Sequence, residues 1–268
     1  MERFKIGVCS WCLPTSDLYE SLEILKEVGL DGMELDVSAD FANSPLLSAE
    51  FCEKYLQKAT EYGLEFTTTA LNGIGSCNPF NDGENKALQN YIKAFKQIAT
   101  NMKLKIIQVP AFGGNALNVG DNFEKAVTLY QDICDQISPY GLTLASENTI
   151  SGQENLELIK RVNRENFAVY FDTQNPLVFS GYKVPDMISM LNGHIAEFHL
   201  KDGTTTDGNT SLGFGNSEFH ESAKRIINSD YSGFLNIETM YKKITSSKEE
   251  TIQLIKKDIA QIKDVFSI

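Results

Sequence analysis

At 268 residues, 42% of them hydrophobic and 22% charged, the chain has the composition of a folded protein and the length for two ordinary domains or one large barrel or sheet. Its 24 Lys+Arg against 36 Asp+Glu leave a net charge of −12, which argues against nucleic acid, because a phosphate backbone is held by clustered cations. The uncharged stretch 106–120 is broken by Gln108, Pro110, paired glycines and two asparagines, so it is no membrane span.

The opening MERFKIGVCSWC sets Glu2, Arg3 and Lys5 around the start of a short apolar run, as a strand does and a secretory signal does not. That run, Lys5–Ser10, is the first of eight expected strands. The others are Gly32–Val37, Leu64–Leu71, Leu104–Val109, Leu142–Glu147, Phe167–Asp172, Ile195–Leu200 and Phe234–Glu238. Helical patterns lie between them, beginning with Asp17–Val28, where Leu18, Leu22 and Leu25 recur at helical spacing before Gly29. Ala49–Tyr62, Glu84–Met102, Phe123–Ser138, Gln153–Val162, a shorter Val184–Leu191, Ser217–Asn228 and a long Ser247–Val265 follow.

No linker or shift in composition divides these elements, and one domain over residues 1–268 is expected. Strands alternating with helices imply parallel crossovers, and eight such units in about 250 residues fit an α/β fold of the single (β/α)8 TIM-barrel kind. A doubly wound sheet would carry a Gly-rich fingerprint after its first strand. Here the first strand runs into CSWCLP.

Period-2 alternation assigns sides to the last four strands. Leu142 and Leu144 oppose Thr143, Ala145 and Glu147; Phe167, Val169 and Phe171 oppose Ala168, Tyr170 and Asp172. Ala196, Phe198 and Leu200 oppose Ile195, Glu197 and His199, while Leu235 and Ile237 oppose Asn236 and Glu238. Each less apolar face ends at the C-terminal tip of its strand in a potential metal ligand, on the side where barrel active sites lie. Three carboxylates desolvated together repel one another unless a proton or a cation intervenes. One divalent cation held by Glu147, Asp172, His199 and Glu238 resolves this; an oxygen-rich set with one imidazole favours Mn²⁺ or Mg²⁺ and also admits Zn²⁺ or Co²⁺.

The strings SEN at Glu147, YFDTQN at Asp172, EFHLKDG at His199 followed by GFGN, and NIET at Glu238 resemble the sugar-phosphate isomerase/epimerase family of xylose isomerase-like barrels, over essentially the whole chain. The resemblance implies a single divalent metal on those four residues, with Glu147 and Glu238 as the catalytic acid/base pair. In ketose 3-epimerases of that family one glutamate removes the proton from carbon 3, the metal polarises the neighbouring carbonyl, and the other glutamate returns a proton to the opposite face of the enediolate. The ketohexose enzymes carry a histidine where this chain has Asn175, and a substrate-binding arginine where it has Thr205. The Asp172–Asn175 pattern, with Gly193-His194-Ile195 ahead of His199, looks more like the L-ribulose-5-phosphate or L-xylulose-5-phosphate 3-epimerases.

The substrate-binding candidates are Asn175, Lys201, Trp11, Gly213 and Gly215. Asn175 is equally readable as a turn residue before Pro176, and Trp11, like Phe112, as core packing. In the loop 201–216, Lys201 and backbone amides at Gly213 and Gly215 offer a phosphate site, against the alternative of a simply flexible loop. Glu34 and Asp36 share the less apolar face of the second strand and are expected to pair with lysine or solvent near the mouth, rather than to hold substrate hydroxyls or a second cation.

Cys9 and Cys12 form a CxxC, but Pro14 separates them from the helical pattern that a redox motif opens, and the odd count of five cysteines suits a reducing cytoplasm. His194 falls at the far end of the barrel and His220 on a solvent-facing helix side. With three histidines in all, the chain lacks the imidazoles for the multi-zinc site of the related abasic-site endonucleases.

The expected protein is therefore a cytoplasmic, divalent-metal-dependent isomerase: a sugar or sugar-phosphate 3-epimerase or isomerase that acts on a small molecule without nucleic acid or membrane. A homo-oligomer is left open. The alternatives are a lyase or dehydratase using the same enolate chemistry and a catalytically inactive sugar-binding barrel.

Overall fold

The computed structural model describes residues 3–81, 83, 85–204 and 208–268, whose strands close into one parallel barrel in chain order, β1 to β8. The strands are β1 Phe4–Cys9, β2 Gly32–Asp36, β3 Thr68–Ala70, β4 Ile106–Pro110, β5 Thr143–Glu147, β6 Phe167–Asp172, β7 Ile195–Leu200 and β8 Gly233–Ile237. Among the described residues the helices are α1 Leu18–Val28, α2 Ala49–Glu61, α3 Lys86–Asn101, α4 Asn122–Ile137 and α5 Gly152–Val162. They continue with α6 Asn175–Ser180, α7 Val184–Met190, α8 Phe219–Ile227 and α9 Lys248–Phe266. The barrel closes where Phe4–Val8 of β1 pairs in parallel with Gly233–Ile237 of β8. The fold is a single (β/α)8 TIM barrel.

Local chemistry starts the helices. Asp17, Ser48, Asn85, Ser151 and Ser247 each accept, through the side chain, the backbone N–H of Glu20, Phe51, Leu88, Glu154 and Glu250 respectively, which satisfies a donor the helix itself cannot. Gly29 ends α1 in the left-handed conformation, with φ of 79°.

Two elements depart from the sequence expectation. The third strand pairs only over Thr68–Ala70; Leu64 and Phe66 are buried, but nearby Glu65 makes just an isolated bridge to Gly32. Apolar alternation there reports burial and not ladder bonding. The residues after β6, readable as a turn, form α6, because Pro176 sits in the first helical turn, where its missing N–H leaves no bond unmade. Glu84, the expected first residue of the third helix, lies outside the described residues.

Outward-facing residues such as Ile6, Val8, Met33, Leu35, Ile107, Val109, Leu144, Phe198 and Leu235 bury against the helix ring. The inward side is unusually polar: Glu34, Thr68, Gln108, Tyr170, Glu197, His199 and Asn236 are each at most 2% exposed. Burial at that level requires hydrogen-bond partners, and the barrel interior supplies them to one another. Glu197 accepts from Thr67 Oγ1 at 2.7 Å, from Thr68 Oγ1 and from Asn236 Nδ2 at 3.0 Å. Burial first, and Glu34 second, push its carboxyl up to about 7. No helix of the described residues is long and apolar enough to cross a membrane.

Close strand packing leaves no space at Gly32, where a Cβ would stand 2.0 Å from the backbone oxygen of Glu65. Gly32→Ala is expected to lower the urea unfolding free energy by about 2–3 kcal/mol; a change below about 0.5 kcal/mol would contradict the close approach.

Candidate active site

Glu147 ends β5, Asp172 ends β6, His199 is next to last in β7, and Glu238 follows β8 directly. Each side chain offers one ligand atom, and these atoms all lie within 4.8 Å of one another. Glu147, Asp172 and His199 are 3% exposed or less, and Glu238 is 9% exposed. A set so gathered and so dry is electrostatically costly unless each charge is answered.

The partners of each carboxylate are specific. Glu147 accepts from Gln108 Nε2 on one oxygen and from Asn175 Nδ2 on the other, at 3.1 Å for the latter. Asp172 Oδ1 accepts the backbone N–H groups of Gln174 and Asn175, both at 2.6 Å, which ties the strand tip to the start of α6. Glu238 Oε1 accepts from the Trp11 indole at 3.1 Å and Oε2 from Lys201 Nζ at 3.0 Å.

Within the four-residue cluster, two buried atoms remain without a hydrogen-bond partner: Asp172 Oδ2 and His199 Nδ1. His199 Nδ1 lies 3.2 Å from Glu238 Oε2 and 3.5 Å from Glu147 Oε1. A lone pair cannot face two carboxylates there unless a proton or a cation stands between.

Titration follows from this crowding. Burial pushes the Asp172 carboxyl up to about 7, with Lys201 pulling it down and Glu238 and Glu147 pushing it further up. Burial acts on Glu238 in the same sense, but Lys201 and His199 outweigh it and hold that carboxyl well below the usual range. Burial alone would lower the Lys201 and His199 pKa values; the surrounding carboxylates raise both instead.

Several candidates stand in roles the sequence did not specify. Trp11 is a hydrogen-bond donor to Glu238 and meets the His199 ring edge-on, with centroids 5.9 Å apart. Lys201 is buried, its ammonium 3.6 Å from Asp172 Oδ2 and bonded to Glu238, so it belongs to the carboxylate cluster and not to an open phosphate loop. Asn175, the first residue of α6, leaves its own Oδ1 buried and unpartnered beside Glu147.

The amides of Gly213 and Gly215 are likewise engaged: both donate to Asp202 Oδ2, at 3.0 and 2.9 Å, while Ser217 N–H donates to Oδ1 at 3.1 Å. A buried carboxylate already occupies this nest of amides, so the loop offers them to no phosphate. Thr205 lies outside the described residues.

Glu34 differs from expectation as well. It is 1% exposed and pairs with neither lysine nor solvent; its Oε2 lies 2.6 Å from His199 Nε2. Its neighbour Asp36 is half-buried, bonded by Asn72 and pushed up to about 6, chiefly by burial. Asp36 borders a cavity of about 490 Å³ shared with Trp11, Pro14 and Lys242, next to the cluster. Cys9 and Cys12 are buried free thiols, and burial first, then Cys12 and Glu34, raise the Cys9 pKa well above the usual thiol value, which leaves no reactive thiolate at Cys9. Sequence reasoning missed Gln108 and the pairing role of Glu34, although both show the same inward parity on their strands as the four cluster residues.

The family model for xylose isomerase-like TIM barrels matches residues 22–265. The chain belongs to that family. A 2-epi-5-epi-valiolone 7-phosphate 2-epimerase of Actinoplanes sp. is 23% identical over 212 residues, covering 78% of this chain and 76% of the relative. Among solved structures, a D-allulose 3-epimerase of Methylomonas sp. in complex with D-allulose superposes with a TM-score of 0.79 at 14% identity, over 98% of both chains. The IolI protein with a bound zinc atom superposes at 0.76 and 17% identity, over 98% of this chain and all of the other. At these identities the structural likenesses establish the xylose isomerase-like barrel fold.

Asp202 organises the mouth of this family barrel, since removing it leaves the backbone donors of Gly213, Gly215 and Ser217 without their acceptor. Asp202→Ala is expected to lower stability by about 2–4 kcal/mol and to speed amide hydrogen exchange at residues 213–217, read by mass spectrometry. Protection of those amides at the wild-type level would contradict the cap.

Proposed function

We propose that the protein is a divalent-cation-dependent isomerase, a 3-epimerase or isomerase of a sugar or sugar phosphate, that removes a proton from the carbon beside a carbonyl and returns one to the opposite face. Above all, this is supported by two glutamates from different strands, each with both oxygens held by donors, beside a buried imidazole nitrogen and a carboxylate oxygen that lack partners. The family, and the likeness of this chain to a 2-epimerase, support the same reading.

Glu147, Asp172, His199 and Glu238 fit one divalent cation, because a cation answers both the unpartnered Asp172 Oδ2 and the buried, unpartnered His199 Nδ1. When bound, it supplies positive charge beside the carbonyl at which negative charge develops. Glu238, kept ionised by Lys201, accepts the proton. Trp11 and Lys201 hold its oxygens in place, so the carboxylate cannot rotate away from the substrate carbon.

Glu147 stands on β5, with β6 and β7 between it and β8, and delivers a proton to the other face; Gln108 and Asn175 fix its orientation. Asn175 Oδ1 accepts from a substrate hydroxyl, and the distal part of the sugar extends along Trp11 into the cavity bordered by Asp36 and Lys242.

Incubation with ketoses and ketose phosphates in deuterated water, with Mn²⁺ or Mg²⁺ present, is expected to place deuterium at the carbon next to the carbonyl. Glu147→Gln and Glu238→Gln should each slow this exchange by about 10²–10⁴-fold. No exchange with any substrate would sink the reading, a product lighter by one water would mark elimination, and undiminished activity in both variants would remove the glutamates from the chemistry.

The Asp172 carboxyl at about 7 also sets a pH dependence. Below that value the cation must displace a proton, so its apparent affinity falls as pH falls through about 7. Calorimetric titration with Mn²⁺ in buffers of different ionisation heat is expected to show more proton release at about pH 6 than at about pH 8. Equal release at both would contradict Asp172 as a ligand.

A further inference from the structure

Beneath the cluster lies a second layer of contacts that the proposed chemistry does not use. Glu34 Oε2 is the meeting point of three groups: His199 Nε2 at 2.6 Å, the Tyr170 hydroxyl at 2.9 Å and the Cys9 thiol at 3.6 Å. Tyr170 is itself fixed. Asn236 Nδ2 donates to its oxygen at 2.9 Å and to Glu197 at 3.0 Å, so the phenol has its own proton left to give, and Glu34 Oε2 at 2.9 Å is a nearer acceptor than Glu197 Oε2 at 3.3 Å. The Tyr170 ring packs against the imidazole with centroids 4.5 Å apart, and Trp11 closes the other approach. Glu34 and His199 have no exposed side-chain surface, so no water competes for the bond between them.

We propose that Glu34 is the positioning residue for His199: it holds the imidazole proton on Nε2, fixes the ring plane, and so presents the Nδ1 lone pair to the divalent cation. An imidazole has two nitrogens and, when neutral, one proton; a carboxylate accepting from Nε2 leaves Nδ1 as the only ligand atom. The negative charge on Glu34 also makes the ring a stronger donor to a cation, as carboxylates behind metal-bound imidazoles do. The geometry favours this over a second metal at Cys9, Glu34 and His199, because Glu34 Oε2 and His199 Nε2 stand in direct hydrogen-bond contact at 2.6 Å with no room for an ion between them, and the Cys9 thiol is held protonated by burial.

This inference rests on the divalent-cation reading of the site, and calorimetric titration of wild-type protein and Glu34→Gln with Mn²⁺ separates the two. One site in the wild type and an affinity about 10–100-fold weaker in the variant is the expected result. Turnover in the variant should recover at saturating Mn²⁺ with the sugar KM unchanged, which a merely structural role would not produce. Equal affinity in both proteins overturns the positioning role and leaves the cation site standing, whereas no binding by the wild type overturns both. Two sites in the wild type, with one lost in the variant, would make Glu34 a ligand and overturn the proposal.

Should Glu34→Gln fail to fold, long-range ¹⁵N–¹H spectra of the Zn²⁺-loaded wild type decide the matter. A proton on His199 Nε2 supports the proposal; a proton on Nδ1, or on neither nitrogen, refutes it.

Discussion

Negative charge concentrated in a dry space is the constraint on which the rest of this barrel depends. Three carboxylates converge at the mouth and two more, Glu34 and Glu197, lie in the interior below, all nearly without solvent. Isolated, each such group would cost several kcal/mol or take up a proton. The chain answers them individually: amides from Gln108 and Asn175 for Glu147, backbone N–H groups of α6 for Asp172, an indole and an ammonium for Glu238, and an imidazole and a phenol for Glu34. Within the mouth cluster one oxygen of Asp172 and one nitrogen of His199 keep no partner, which marks where a cation is called for.

The same constraint links the layers of the interior. Glu197 at the centre fixes Asn236, Asn236 fixes Tyr170, Tyr170 fixes Glu34, and Glu34 fixes His199 at the mouth. Each member is a hydrogen-bond partner of the next, so a connected polar column, with Glu34 Oε1 and His199 Nδ1 left unpartnered, stands where most barrels stack branched aliphatic side chains. Rigidity of the cluster follows, since no imidazole or carboxylate in it can rotate without breaking a buried bond. Asp202 does the corresponding work above, by gathering the loop amides that follow β7.

Much of this was legible in the sequence, and the reason is the two-residue period of strands. Glu147, Asp172, His199 and Glu238 share the less apolar parity and fall at strand tips, which suffices to send them toward one point once the strands are known to be parallel and adjacent. Glu34 and Gln108 carried the same signal on β2 and β4, but parity does not say which inward residue meets which across a barrel. Lys201, Gly213 and Gly215 read as a phosphate loop because local composition cannot reveal that Asp202 has already taken the amides. Nor could the dipeptide Asn175-Pro176 disclose a helix whose first turn is anchored by a carboxylate at the end of the preceding strand.

The sequence by itself determined the alternation of strands and helices, the boundaries of most elements through their caps and apolar spacing, and the identity of the four residues that gather at the mouth. These are properties of neighbours along the chain: period, capping chemistry and residue type. Only the tertiary structure decided that Trp11 from beyond β1 reaches Glu238, that Glu34 backs His199 across the interior, and that Lys201 turns inward to Glu238. Those pairs are separated by 227, 165 and 37 residues. They exist because closing the barrel brings β1 against β8 and sets β2 across from β7, which no local pattern encodes.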